Sequence, residues 1–276
     1  MKYLQKTFDW NRDDLVSQYD ELSLWASSFG LLLMDNFPLG RYENYLDVGC
    51  GTGFPLIDIS QRLGTECKSF GIDPWAAAIK RARSKIETLG LSNVEVIEAS
   101  ASQIPFPDNY FDLITSNLGI NNFSNPVAVL KECKRVAKPD ASLCITTNLT
   151  GHFEEFYNIY GRTLEELGLF EKYCSKLVEH INHRGTVEST SALLKTAGFE
   201  IKEIIESQFA FRYLDGTSFL NHSFIMSAFM ESWKSILDKN ERVPFFTKLE
   251  KNLNRYAELN GELEVTVPAI YIECEK

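Results

Sequence analysis

Apolar positions along the chain alternate between two spacings. Short apolar runs at 45–48, 67–72, 94–97, 110–116 and 142–147 have the length and β-branched or aromatic content of strands. Between them, 56–63, 75–89 and 126–137 carry apolar residues at helical spacing. Pro126 stands in the first turn of the last of these, where a missing N–H costs nothing. This strand–helix rhythm with short connections predicts a parallel sheet covered by helices on both faces.

The rhythm breaks after residue 148. Residues 153–170 read as an aromatic-rich helical segment, 187–197 as a helix stopped by Gly198, and 199–213 as containing a long strand. A helical stretch follows over 218–260, in which Met226, Phe229, Met230, Trp233, Ile236 and Leu237 share helical spacing. A last strand is expected at 263–273.

Composition narrows the class of molecule. The chain has 276 residues with a formal net charge of −10, which argues against a general nucleic-acid binder. Its apolar run at 31–34 is far too short to span a bilayer, and residues 1–10 lack an apolar signal core. The six cysteines, at 50, 67, 133, 144, 174 and 274, form no CxxC pair, so reduced thiols and a cytoplasmic location are expected.

The chemistry is concentrated in Asp47-Val48-Gly49-Cys50-Gly51-Thr52-Gly53, between a strand and a helix. Glycines there permit positive φ and let a ligand lie against bare main chain, while the helix start offers unpaired N–H groups. A dinucleotide fingerprint would need glycine or alanine where Phe54 or Leu56 stands, and a phosphate-binding loop would need Gly-Lys-Ser/Thr. A pyrophosphate ligand is therefore disfavoured. Asp73 closes the second strand 24 residues after Gly49, close to the interval at which an acid reaches ribose hydroxyls.

These motifs, with Gly71-Ile72-Asp73, the Ile104-Pro105-Phe106-Pro107-Asp108 segment, Arg135-Val136-Ala137-Lys138-Pro139 and Leu193 to Phe199, resemble those of class I S-adenosylmethionine-dependent methyltransferases. The resemblance covers about 40–148. Tyr19-Asp20, Ser28-Phe29-Gly30 and the segment from Ser116 to Asn122 are similar to the ubiquinone and menaquinone biosynthesis group. It implies an α/β, Rossmann-like, seven-stranded mostly parallel sheet with helices on both faces and helical lid additions. One domain over 1–276 is expected, with an N-terminal helical segment at 1–37, a cofactor-binding core at 38–150, and additions at 151–186 and 214–262 forming the lid.

The implied cofactor is S-adenosyl-L-methionine. By the resemblance Gly49, Cys50, Gly51 and Gly53 hold its amino-acid part, with Asp47 beneath the loop; Tyr19 either closes over the cofactor or packs the N-terminal helix. Asp73 binds the ribose, Pro74 or Trp75 packs near the adenine, and Asn117 sits beside the methionine end. Ser100 stands where the family often has an Asp that accepts from the adenine amino group, so the Ala101 main chain is expected to share that contact. Lys138-Pro139-Asp140-Ala141 replaces the family's usual Pro-Gly-Gly turn.

The expected activity is in-line methyl transfer to a small apolar or aromatic acceptor, for which bringing the reactants together is the main work. His152, just past the fifth strand, is the candidate base. His180 and His183 make an HxxH pair with no third ligand at metal spacing, and no metal is expected. Asn117, Asn121 and Asn122 are candidates to orient a substrate oxygen, and 219–233 is read as lid or packing helix. The alternatives are an aminopropyl transferase or an oxidoreductase on the same fold, and a non-catalytic S-adenosyl ligand sensor or assembly factor.

Overall fold

Strand and helix follow the apolar pattern closely in the computed structural model, which describes residues 1–21 and 23–276. Leu22, within the expected N-terminal helical segment, lies outside the described residues. The chain opens with α1 (Lys2–Gln5), α2 (Asp13–Glu21) and α3 (Leu24–Asn36). Then come β1 (Asn44–Val48), α4 (Leu56–Leu63), β2 (Lys68–Asp73), α5 (Ala76–Leu89), β3 (Val94–Glu98), β4 (Phe111–Asn117), α6 (Pro126–Val136) and β5 (Ala137–Asn148). Next are α7 (Glu154–Glu166), α8 (Phe170–Ile181), α9 (Val187–Ala197) and β6 (Glu200–Tyr213). The chain finishes with α10 (Gly216–Asn221), α11 (Ser223–Ala228), α12 (Met230–Ser235), α13 (Lys239–Asn260) and β7 (Leu263–Glu275).

The seven strands form one sheet in the order β3-β2-β1-β4-β5-β7-β6. β1 runs parallel to β2 and β4, and only β7 is antiparallel to its neighbour β5 among the registers resolved. Central β1 and β4 are buried over nearly their whole length, as a strand covered on both faces must be. β6, at the edge, has no fully buried residue.

Local signals set the ends of the helices. The Asn125 side chain accepts from the Ala128 N–H at 3.0 Å and starts α6, and Thr186 and Ser189 form a reciprocal capping box on α9. β5 begins earlier than expected, at Ala137, and turns at Asp140 with φ +63°. The left-handed turn that a glycine would supply is thus made by an aspartate, a residue that tolerates this region better than most.

The described residues fall into two compact units. A sheet unit comprises Asp9–Asn148, Gly185–Ser207 and Ala269–Lys276, and a helical unit comprises Met1–Phe8, Leu149–Arg184 and Gln208–Pro268. In the sheet unit Leu46, Val48, Leu56, Ile59, Ile79 and Leu113 are fully buried. In the helical unit Trp233 stacks on Phe156 at 4.1 Å between ring centroids, and Phe219 and Phe229 pack beside it.

The expected helical stretch over 218–260 is four helices. His222 adopts extended backbone (φ −65°, ψ 133°) and Phe229 leaves helical geometry (φ −122°), so a presumed single stripe instead surrounds an aromatic core. All six cysteines are free thiols, and no helix among the described residues is long and apolar enough to cross a membrane.

The Asp140 turn can be tested by substitution. Asp140→Val is expected to cost about 1–2 kcal/mol in denaturant unfolding, whereas Asp140→Gly matches or exceeds the starting stability. Equal losses in both variants would deny the left-handed conformation any part in the turn.

Candidate functional site

The glycine loop is fixed to the neighbouring strand through its main chain. The Gly49 and Cys50 N–H groups donate to the Ile72 carbonyl at 2.8 and 3.1 Å. Gly51 has φ +51°, and a Cβ built there meets nothing within 4 Å, so bare main chain faces open space. Gly53 has φ +96° for a different reason. A Cβ on it would lie 2.9 Å from Ile57 Cδ1 and 3.3 Å from Ala82 Cβ, which ties this glycine to the close approach of α4 and α5. Gly30 on α3 leaves room for Phe54, since a Cβ there would sit 2.2 Å from that ring.

Two carboxylates meet this loop without a cation. Asp73 accepts from the Gly51 N–H at 2.9 Å and from the Trp75 N–H at 2.8 Å. Burial raises its pKa, and these two hydrogen bonds oppose the rise. Asp47 is fully buried; one oxygen accepts from Thr115 Oγ1 at 2.7 Å and Oδ2 has no partner. Burial pushes its pKa up to about 7, with the Asp73 charge adding to the rise and the Thr115 hydrogen bond opposing it. Neither carboxylate forms an ion pair among the described residues.

Asp20 shows the opposite arrangement. It accepts from Thr52 Oγ1 at 2.7 Å, Arg81 Nε at 2.9 Å and Lys85 Nζ at 2.6 Å, which ties α2 to the loop and to α5. Burial alone would raise its pKa, but the hydrogen bonds from Lys85, Thr52 and Arg81 outweigh it and hold the pKa low. Beside it, the Tyr19 ring meets Trp10 and Trp75 edge-on at 5.6 and 5.8 Å. Burial raises the Tyr19 pKa, with Asp73 and Asp20 adding to the rise.

These contacts engage several of the expected site residues. Trp75, expected near the adenine, donates its Nε1 to the Trp10 carbonyl at 2.8 Å and packs against the N-terminal aromatics, while Pro74 stays exposed. Ser100 hydrogen-bonds Ser102 at 2.8 Å, and Ala101 is buried beside it. Asn117 donates to the Ala26 carbonyl at 3.1 Å and accepts from Thr146 Oγ1 at 2.7 Å, tying α3 to β4 and β5. Asn121 donates to Thr147 Oγ1 and Asn148, and Asn122 to the Leu118 carbonyl. The asparagines expected to orient a substrate are thus engaged internally. Cys50 is buried with its thiol pKa pushed well up by burial.

His152 belongs to the helical unit, where it is 1% exposed and packs against Phe153, Tyr157 and Phe229. Its Nε2 has no partner, and burial, then Arg184 and His180, depress its pKa to about 3. α8 ends at Ile181, so His183 lies beyond the helix and does not share a helix face with His180. No group of three or more His, Cys, Asp or Glu among the described residues is placed to hold a metal ion.

The family model described as "Methyltransferase domain" matches residues 40–260. The chain belongs to that family. The class is that of S-adenosylmethionine-dependent methyltransferases with the Rossmann-like seven-stranded sheet. A demethylmenaquinone methyltransferase of Geobacillus stearothermophilus is 38% identical over 151 residues, 53% of this chain and 63% of that protein. The chain thus spans under two thirds of that relative's length. A solved S-adenosylmethionine-dependent methyltransferase from Aquifex aeolicus is 25% identical with a TM-score of 0.55, over 72% of this chain and 93% of that one. The YcgJ protein of Bacillus subtilis has a TM-score of 0.59 at 19% identity, over 91% of this chain and 98% of that one, a likeness of fold alone.

The residues of this methyltransferase fit the family's cofactor, S-adenosyl-L-methionine. An adenosyl sulfonium compound carries positive charge and needs bare main chain to lie against; the loop offers open space at Gly51, the orphaned Asp47 Oδ2 and the unpaired Asp73 carboxylate. Asp20 entered the sequence reading only within the Tyr19-Asp20 resemblance and its cations were missed, although Arg81 and Lys85, four residues apart on α5, were the available signal.

Two outcomes follow from this geometry. Gly51→Ala is expected to weaken S-adenosylhomocysteine binding at least about tenfold while costing about 1–2 kcal/mol of stability. Gly53→Ala loses more stability through its contact with Ile57, and calorimetry with thermal melts separates the two. Because the folded pKa of Asp47 is raised from 3.8 to about 7, its contribution to stability is full below about pH 4 and is lost as pH rises to about 7. Asp47→Asn should flatten that part of the stability–pH curve, measured without cofactor.

Proposed function

We propose that this methyltransferase transfers a methyl group in line to a small apolar or aromatic acceptor of the quinol type. The similarity to a demethylmenaquinone methyltransferase supports the acceptor class, and the uncompensated carboxylates at the glycine loop support a cationic donor. When bound, S-adenosyl-L-methionine supplies a methyl carbon already activated by its sulfonium charge. In this reading the main chain of Gly49, Cys50, Gly51 and Gly53 holds the amino-acid part, and Asp47 stabilises positive charge from beneath. Asp73 binds the ribose, while Tyr19 covers the site. Pro74, Ser100 and Ala101 flank the adenine, and the remaining Asn117 N–H serves the methionine end.

His152 is the group proposed to receive the acceptor's proton. Its imidazole is neutral at working pH and its Nε2 is unpartnered. Burial holds its pKa near 3, so it takes the proton only as methyl transfer makes the acceptor strongly acidic. An aromatic hydroquinone hydroxyl meets that condition better than an aliphatic alcohol does.

Incubation with methyl-labelled S-adenosyl-L-methionine and a reduced naphthoquinone lacking the ring methyl should place label in the quinol. His152→Ala should lower kcat on the order of 100-fold with cofactor affinity unchanged. Cofactor binding without label transfer to any small molecule would overturn the reading, and an unchanged kcat in His152→Ala would remove the proposed base.

A further inference from the structure

We infer that the helical unit contains a binding site for a small-molecule oxyanion, a carboxylate or phosphate ester, centred on Arg184. The inference is independent of the methyl-transfer reading, because it uses neither the glycine loop nor His152. A cavity of about 590 Å³ in that unit is lined by Lys176, Glu179, His180, His183, Arg184 and Ser232, among others. That volume is in the range of small-molecule sites and far exceeds the needs of a bare inorganic ion.

Arg184 is the unusual member. Its Nε is buried without a hydrogen-bond partner, and its guanidinium forms no ion pair among the described residues. Most cationic side chains in tight contact elsewhere in this chain have found carboxylates: Arg135 binds Glu132 and Asp108, and Arg212 binds Glu262. A partly buried guanidinium is stabilised by an acceptor that matches its planar fork, and carboxylate and phosphate oxygens do so. The one acidic residue in the lining, Glu179, makes no ion pair with it.

Neighbouring groups are already arranged for such a guest. Trp233 Nε1 donates to Tyr157 Oη at 3.1 Å, and Tyr157 Oη lies 3.0 Å from His180 Nε2. The Tyr157 oxygen accepts from Trp233, and its hydrogen bond with His180 Nε2 holds that ring in place in the cavity wall. Burial, then Arg184 and His183, press the His180 pKa down to about 4, so its ring is neutral. The Arg184 carbonyl accepts from Thr150 Oγ1 at 2.5 Å, which anchors the residue itself. An oxyanion would gain the guanidinium fork, the Lys176 ammonium and a hydrogen bond from histidine. The remaining space would take an organic body.

The test is an NMR titration of the His180 and His183 ring signals of the full chain with inorganic phosphate and, separately, benzoate, at constant ionic strength. A saturable shift with at least one anion is expected, and comparing the two arms decides between phosphate ester and carboxylate. Arg184→Gln should weaken that binding about tenfold or more, whereas Arg212→Gln, which removes an equal charge in the same unit, should leave it unchanged. Arg184→Lys keeps the charge without the fork and should bind more weakly than the parent; it carries the test should Arg184→Gln unfold. No saturable shift with either anion, or equal affinity in Arg184→Lys and Arg212→Gln, would overturn the inference.

Discussion

Asp73 accepts one hydrogen bond from the Gly51 N–H and another from the Trp75 N–H, so one carboxylate at the end of β2 holds both the loop after β1 and the approach to α5. The same loop is pinned from its other side by the Ile72 carbonyl. Parallel pairing of Asp47 with Gly71 and Val48 with Ile72 brings the two strand ends level. The open main chain at Gly51 is thus a product of register, and a slip of one residue would turn Asp47 away from the core and Asp73 away from the loop.

Asp20 adds a second fastening from the N-terminal side. Thr52 in the loop and Arg81 and Lys85 on α5 all converge on it, so α2 is bound to the glycine loop and to α5. Its ion pairs are half-buried at most on the cationic side, and each alone is worth little. Their significance is geometric: they place Tyr19 and its aromatic neighbours where the Asp73 charge is felt.

How far the chain could be read depended on the range of the interaction concerned. Parallel strands buried on both faces announce themselves as apolar runs, and α4 and α9 begin and end where spacing and glycine place them. The glycine loop and Asp73 were legible because their spacing is local. What escaped was tertiary. Asn117 and Asn121 looked like free polar groups, yet Asn117 bonds to α3 and β5 and Asn121 to β5, and Trp75 is claimed by Trp10, 65 positions away. The helical stretch after β6 broke into pieces because its aromatics surround Trp233, and helical spacing alone does not tell a stripe from a cluster.

Uncompensated charge gives the clearest physical guide to what the molecule binds. Leaving a buried carboxylate or guanidinium unpaired is costly, and a fold free to minimise its own energy would pair or remove it. This chain pairs Asp20 three ways, so it has the means. It nevertheless leaves Asp47 Oδ2 without a partner in the sheet unit and the Arg184 Nε without one in the helical unit. The signs are opposite, and so are the ligands each would welcome: a cationic sulfonium compound for the carboxylates, an oxyanion for the guanidinium. A charge kept against stability in a place with open space beside it is better explained by a guest than by the fold.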